Sequence, residues 1–135
     1  MRYFSLSQGF VELLLDVYRG RLPVREARLE MEDGFLILSV RAPLAPGELR
    51  ARFAPEGVHW GEVKELSFRF QEEGSLSLVK TAVRFIRKGV RTEGDILWVD
   101  ITQFWERLPA EMRWNTRISR VEARKEEVRV YLERF

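Results

Sequence analysis

The sequence predicts an α+β domain in which a single curved, mostly antiparallel sheet of about six to eight strands packs against an N-terminal helix and a basic amphipathic helix. Three observations support this prediction. Apolar residues recur at helical spacing near the N-terminus, they alternate with charged residues through most of the remaining chain, and acid-Gly turns separate the alternating segments. The length of 135 residues is enough for a single domain, 1–135, with its own hydrophobic core.

The first predicted element is a helix that Ser7 caps and that runs through Tyr18. Gly20 stands where a left-handed residue commonly ends a helix. Apolar residues recur at spacings of three and four, namely Phe10, Leu13, Leu14 and Val17. The pattern therefore indicates an amphipathic opening helix.

A β-hairpin follows, because the apolar period changes to two from Val24 and Asp33-Gly34 is a strong signal for a two-residue turn. A turn of this length pairs Glu32 with Phe35. The register of the hairpin then places three apolar pairs on one face: Met31 with Leu36, Leu29 with Leu38, and Ala27 with Val40.

Two further strands and a short third one are predicted before the basic helix. Alternation gives a strand over Leu49, Ala51 and Phe53 that ends at Pro55, and another over Leu66, Phe68 and Phe70. A loop at 72–74 would set a short fifth strand against the latter, pairing Phe70 with Leu76 and Phe68 with Leu78.

The C-terminal part is predicted to contain three strands and a helical turn. After the turn at 93–95, apolar residues occur on both faces of 96–101, which is typical of a central strand. A helical turn over 102–108 is halted by Pro109, and two strands follow at 113–123 and 128–132.

The most informative stretch is 80–91, where five cations occur without an intervening acid. On an α-helix that Gly89 closes, these cations share an arc of roughly 100°, opposite an apolar face. They are Lys80, Arg84, Arg87, Lys88 and Arg91. The default interpretation is a solvated face whose long stems cover apolar surface, and the functional hypothesis assigns these five residues to the binding of an anionic group.

Aromatic residues concentrate between Trp98 and Trp114. Core is the default interpretation, and a stacking platform or the rim of an apolar site are the alternatives. As a groove for an apolar ligand we assign Phe85, Trp98, Phe104, Trp105 and Trp114.

No motif for catalysis is present. The chain has no Cys, and His59 is its single imidazole, so thiolate catalysis and a Cys/His zinc site lack the necessary residues. His59 and Glu62 could share a proton in a predicted loop, but a surface turn is the favoured interpretation. Acids at 93, 95 and 100 could approach a divalent ion, but such spacing is typical of a solvent-facing strand. We therefore predict no enzymatic activity, no cofactor and no metal.

Composition and charge bound the remaining possibilities. A net charge of +2 does not imply general affinity for polyanions. The apolar run at 10–15 is too short for a secretion signal or a transmembrane segment, and with no Cys present we expect a cytoplasmic protein. Scarcity of Asn, Gln and Cys beside abundant Glu and Arg is typical of heat-adapted proteins, which predicts a thermophilic source.

The segment Gly89–Ile101, the break at Leu108-Pro109 and the closing hairpin resemble small bacterial proteins related to the tubular lipid-binding superfamily. The resemblance covers the last 80 residues or so. It implies a long, curled antiparallel sheet wrapped around helices, with an apolar seam that holds acyl chains and no catalytic residues. Such proteins are often exported or membrane-anchored, whereas a signal is not expected here.

The lead hypothesis is a non-enzymatic binding module that holds an apolar or lipid-like anionic ligand between sheet and helices, with the basic stripe at the anionic end. A first alternative is a structural or protein-interaction domain that forms a homo-oligomer through an exposed edge strand such as 128–132. A second is nucleic-acid binding by the basic helix, which the interleaved acids of the sheet disfavour.

Overall fold

A computed structural model describes residues 2–9, 26–41, 48–73, 77–86 and 89–135 of the chain. Strands dominate these ranges, and the helices are short. The strands are β1 (Arg2–Ser7), β2 (Glu26–Glu32), β3 (Phe35–Arg41), β4 (Leu49–Trp60), β5 (Lys64–Glu73), β6 (Val90–Glu93), β7 (Ile96–Asp100), β8 (Thr116–Arg124) and β9 (Glu127–Arg134). The helices are α1 (Leu78–Ile86), α2 (Thr102–Glu106) and α3 (Ala110–Arg113).

The strands form two antiparallel sheets rather than one. The small sheet has the order β1-β9-β8, and the large sheet has the order β2-β3-β4-β5-β7-β6. The predicted α+β class with a single curved sheet is therefore wrong, because the described part of the chain is mostly β. Alternation in a sequence shows which residues share a face, but it does not show which strands join the same sheet.

The N-terminal prediction falls mainly on residues that the structure does not describe. Of the helix expected through Tyr18, Gln8 and Gly9 are helical, whereas residues 10–25 lie outside the described ranges. Ser7, the predicted cap, is the last residue of β1, which pairs with β9. Within the described residues there is no long N-terminal helix.

The first hairpin has the predicted register. Glu32 pairs with Phe35, and the three predicted apolar pairs between β2 and β3 all occur. Gly34 has a φ of 95° in the turn, a value that favours glycine. The turn also joins the two sheets, because the N–H of Gly34 donates to the carbonyl of Ala123 in β8.

The predictions for β4 and β5 need two corrections. β4 does not end at Pro55 but continues to Trp60. A bulge between Pro55 and Gly57 accommodates the proline within the strand. The predicted pairing of Phe68 with Leu78 is wrong, because Phe68 lies between Pro55 and Leu97 in the sheet.

Leu78 begins α1 instead of a fifth strand. Glu72 explains this start, since its carboxylate accepts hydrogen bonds from the N–H of Val79 and the hydroxyl of Ser77. Leu76 lies outside the described residues, so its predicted pairing with Phe70 does too. The described part of α1 confirms an amphipathic helix, because Val79 and Val83 pack on the large sheet.

The small sheet covers the other half of the same face of the large sheet. Near the first hairpin, Leu29 and Met31 pack against Val128 of β9. At the opposite end, Trp105 packs between the sheets with Ile118 and Val130. Side chains from both sheets and from α2 therefore fill the space between the layers.

Strand positions decide two further predictions. β7 lies between β5 and β6, which confirms a central strand. β9 lies between β1 and β8, so the prediction that 128–132 forms an exposed edge is wrong. In the ranges described, no helix combines the length and apolar character needed to cross a bilayer.

Candidate functional site

The structure separates the predicted cationic stripe. Lys80 and Arg84 are exposed on α1, whereas Arg87 and Lys88 lie outside the described residues. Arg91 is not helical: Gly89, with a φ of 82°, precedes β6, and Arg91 is part of that strand.

Arg91 is held on the large sheet by its own partners. Its guanidinium pairs with Glu65 at 3.3 Å and also with Glu93, and it lies 4.9 Å from the centre of the Trp98 ring. The hydrogen bond with Glu65 is the main reason that the pKa of Arg91 is raised above its ordinary value. Of the predicted stripe, Lys80 and Arg84 are therefore the described residues that lie on α1.

Of the five residues assigned to an apolar groove, the four whose side chains are described do not line one groove. Trp98 lies opposite Ser67 and Arg91, on the outer face of the large sheet, and its indole Nε1 is buried without an acceptor. Trp105 is core, with 5% of its surface exposed. Phe104 and Trp114 are exposed, and the side chain of Phe85 is outside the described set.

The exposed pair is accompanied by other exposed large apolar side chains at the same end of the molecule, and we call this set of side chains the apical patch. Among the described residues, the large apolar side chains that are exposed lie here, except Tyr3. The apical patch consists of Val63, Phe104, Met112, Trp114 and Phe135. Trp114 is its most exposed member, at 76%.

Hydrogen bonds donated by backbone N–H groups join these separate segments. The loop 61–63 is joined to the start of α2, because the N–H of Lys64 donates to Thr102 Oγ1 at 2.9 Å. The chain end is joined to the segment after α3, because the N–H of Phe135 donates to the carbonyl of Asn115 at 3.0 Å. The patch is therefore made by tertiary structure from three segments.

Three arginines that lie close in sequence to members of the apical patch have no carboxylate partner among the described residues. In the described part of the chain, Arg107, Arg113 and Arg134 form no ion pair, and Arg113 Nε is buried without an acceptor. By contrast, Arg69 on the large sheet lies between Glu56 at 2.8 Å and Asp95 at 2.6 Å.

The apical patch is nevertheless close to neutral. Arg117 lies 5.8 Å from the centre of the Phe135 ring and 3.3 Å from Glu133, so the positive charge of Arg117 is compensated. Exposed acids share the same segments, namely Glu62, Glu106 and Glu111. The surface thus combines exposed apolar side chains with guanidinium groups that can donate hydrogen bonds to an anion, and it has no strong net charge.

The residues considered for proton transfer do not form a site. His59 is exposed on β4 opposite Glu65, and no hydrogen bond joins it to Glu62 within the described ranges.

The acids considered for a metal each have another partner. Glu93 pairs with Arg91, Asp95 pairs with Arg69, and Asp100 accepts a hydrogen bond from the N–H of Thr102. Over the residues that the structure describes, no group of three or more His, Cys, Asp or Glu side chains is arranged to hold a metal.

Three members of the apical patch were missed by sequence reasoning: Val63, Met112 and Phe135. Their signal in the sequence is weak, since each is a single apolar residue beside polar ones near a loop or the chain end. Comparison of the chain with protein-family models, with curated proteins and with solved structures gives no match.

Proposed function

We propose that this protein is a non-enzymatic binding module that docks on phospholipid surfaces through the apical patch. The observation that carries the proposal is the exposure of Trp114 and Phe104, at 76% and 53%, beside guanidinium groups that have no carboxylate partner. Trp and Phe with neighbouring Arg are the side chains that favour the boundary between headgroups and acyl chains.

The apolar contacts supply most of the expected binding energy. Burial of a large apolar side chain contributes about 1.5–3 kcal/mol, so partial insertion of Trp114, Phe104 and Phe135 is enough for reversible docking. Phe104 lies on the short helix α2, Trp114 follows the short helix α3, and Phe135 follows the last residue of β9, so the rings can enter the headgroup layer without unfolding a sheet.

The charges tune this docking but do not drive it. Phosphate is common to zwitterionic and anionic phospholipids, and Arg107, Arg113 and Arg134 can donate to it. Because exposed acids nearly balance these cations, we expect a small preference for anionic lipid and a weak dependence on salt.

A second copy of the chain is a less suitable occupant of the patch. In a two-fold contact the same surface meets itself, so its guanidinium groups avoid burial without partners only if Glu62, Glu106 or Glu111 of one copy lies opposite an arginine of the other. Lipid phosphates accept these hydrogen bonds without such a matched arrangement.

The experiment is cosedimentation with vesicles of phosphatidylcholine alone and with added phosphatidylglycerol. The double substitution Phe104→Ser and Trp114→Ser should weaken binding to both by at least about tenfold, because it removes the main apolar insertion. Tyr3→Ser is the matched control, since Tyr3 is 49% exposed outside the apical patch.

Two outcomes would contradict the proposal. One is equal vesicle binding by the wild type and the double variant, or none by either. The other is self-association in light scattering that the double variant loses, without vesicle binding by the wild type, which would identify a second copy as the occupant.

A further inference from the structure

The outer face of the large sheet carries a second feature, which is remote from the apical patch and independent of its proposed role. A groove of about 240 Å³ lies on β3, β4 and β5. Its outward-facing lining consists of Ile37, Arg50, Arg52, Gln71 and Glu73.

The two arginines project on the same side because they are two residues apart on β4. Their Cα atoms are therefore about 7 Å apart, a spacing that lets two guanidinium groups converge on one small anion. Arg50 lies opposite Glu73, and Arg52 lies opposite Gln71, in the neighbouring strand.

Neither arginine forms an ion pair with a carboxylate in the described part of the chain. Other arginines of this face do: Arg28 lies 3.3 Å from Glu48, and Arg69 lies 2.6 Å from Asp95. The groove thus holds the uncompensated pair of guanidinium groups on a face where neighbouring cations are neutralised.

The groove also orients one of these groups. The guanidinium of Arg52 lies 4.5 Å from the centre of the Phe35 ring, so stacking restricts its plane and lowers the entropy cost of further hydrogen bonds. Ile37, which is 8% exposed, provides an apolar floor. Such a floor lowers the local dielectric and strengthens charge-assisted hydrogen bonds above it.

We infer that this groove binds a phosphate-monoester dianion, with Arg50 and Arg52 as its ligands. Two forked cations match the oxygen geometry of phosphate, and the amide of Gln71 adds a neutral donor. The single acid of the lining that faces outward, Glu73, opposes the anion and sets a modest affinity. Its neighbour Glu72 accepts hydrogen bonds from α1 and plays no part.

The test is a titration of the full chain with inorganic phosphate at constant ionic strength, followed by NMR of the arginine Nε–Hε groups and by calorimetry. Arg50→Gln and Arg52→Gln should each weaken binding about tenfold, because each removes one charge-assisted contact. Arg52→Lys keeps the positive charge but not the planar, forked donor group, so its phosphate affinity should lie between those of the wild type and Arg52→Gln. Glu73→Gln should tighten phosphate binding about a few-fold, because it removes a negative charge that repels the anion.

Arg117→Gln is the matched control. It removes one positive charge from an arginine of the small sheet that pairs with Glu133. It should leave phosphate affinity within about twofold of the wild type. Equal losses in this control and in Arg52→Gln would show a general charge effect and overturn the inference. Unchanged Arg50 and Arg52 resonances in wild-type protein at saturating phosphate would also overturn it.

Discussion

The indole of Trp105 meets that of Trp60 edge to face, with ring centres 4.7 Å apart and an angle of 86° between the planes. This contact joins α2 to the end of β4. Together with Ile118 and Val130, the pair fills the space between the two sheets beneath the apical patch. The patch therefore rests on a packed core and not on an empty seam.

Replacement of Trp105 by Ala should lower the free energy of unfolding by about 3–5 kcal/mol, because the substitution removes a buried ring and leaves a cavity. Urea denaturation followed by circular dichroism measures this change. Trp114→Ala is the control, and it should shift the free energy by less than about 0.5 kcal/mol, since an exposed ring loses little packing. Equal effects at the two positions would contradict the assignment of Trp105 to the core.

Glu72→Ala should destabilise the start of α1 without disrupting β5. The N–H of Val79 and the hydroxyl of Ser77 lose their acceptor, as they would on loss of an N-cap, at a cost of about 1 kcal/mol. Hydrogen exchange at the Val79 amide should accelerate accordingly. Glu73→Ala makes the same chemical change on the opposite face of the strand, and similar acceleration in that variant would refute the capping role.

Asp100 should contribute a pH-dependent part of the stability. Two hydrogen bonds hold the pKa of Asp100 below its ordinary value: the larger contribution comes from the hydroxyl of Thr102 and the smaller one from its backbone N–H. A lowered folded-state pKa means that the contribution is fully present above the ordinary value and is lost as the pH falls through the lowered one.

Comparison of wild type with Asp100→Asn isolates this contribution. The difference in free energy of unfolding should be about 0.5 kcal/mol near pH 6, because solvent screens an exposed carboxylate, and should shrink toward pH 2. Urea denaturation across this range provides the measurement. A difference that grows on acidification would have the wrong sign for the proposed hydrogen bonds.

Local features of the fold were predictable where short-range chemistry decides them. Asp33-Gly34 fixed the β2–β3 register, because a two-residue turn permits a single alignment of the flanking apolar residues. The apolar residues on both faces of 96–101 likewise identified β7 as a central strand. β1 escaped prediction because six residues of mixed polarity give a weak period.

The candidate surfaces were less predictable. Lys80 and Arg91 were grouped on one helix, but Lys80 lies on α1 whereas Arg91 is part of β6, after Gly89 with its positive φ. Trp105 and Trp114 looked equivalent in sequence, yet one is 5% and the other 76% exposed. Burial depends on what packs against a side chain, and a linear pattern does not contain that information.

The sequence by itself determined the hairpin register, the amphipathic character of α1 and the lack of Cys chemistry, because each depends on residue type and spacing within a few positions. Tertiary structure alone decided that the strands divide into two sheets, that β9 is central in its sheet, and that Val63, Trp114 and Phe135 share one end. Those relationships arise from contacts between distant segments, whose choice is governed by the packing of the whole core.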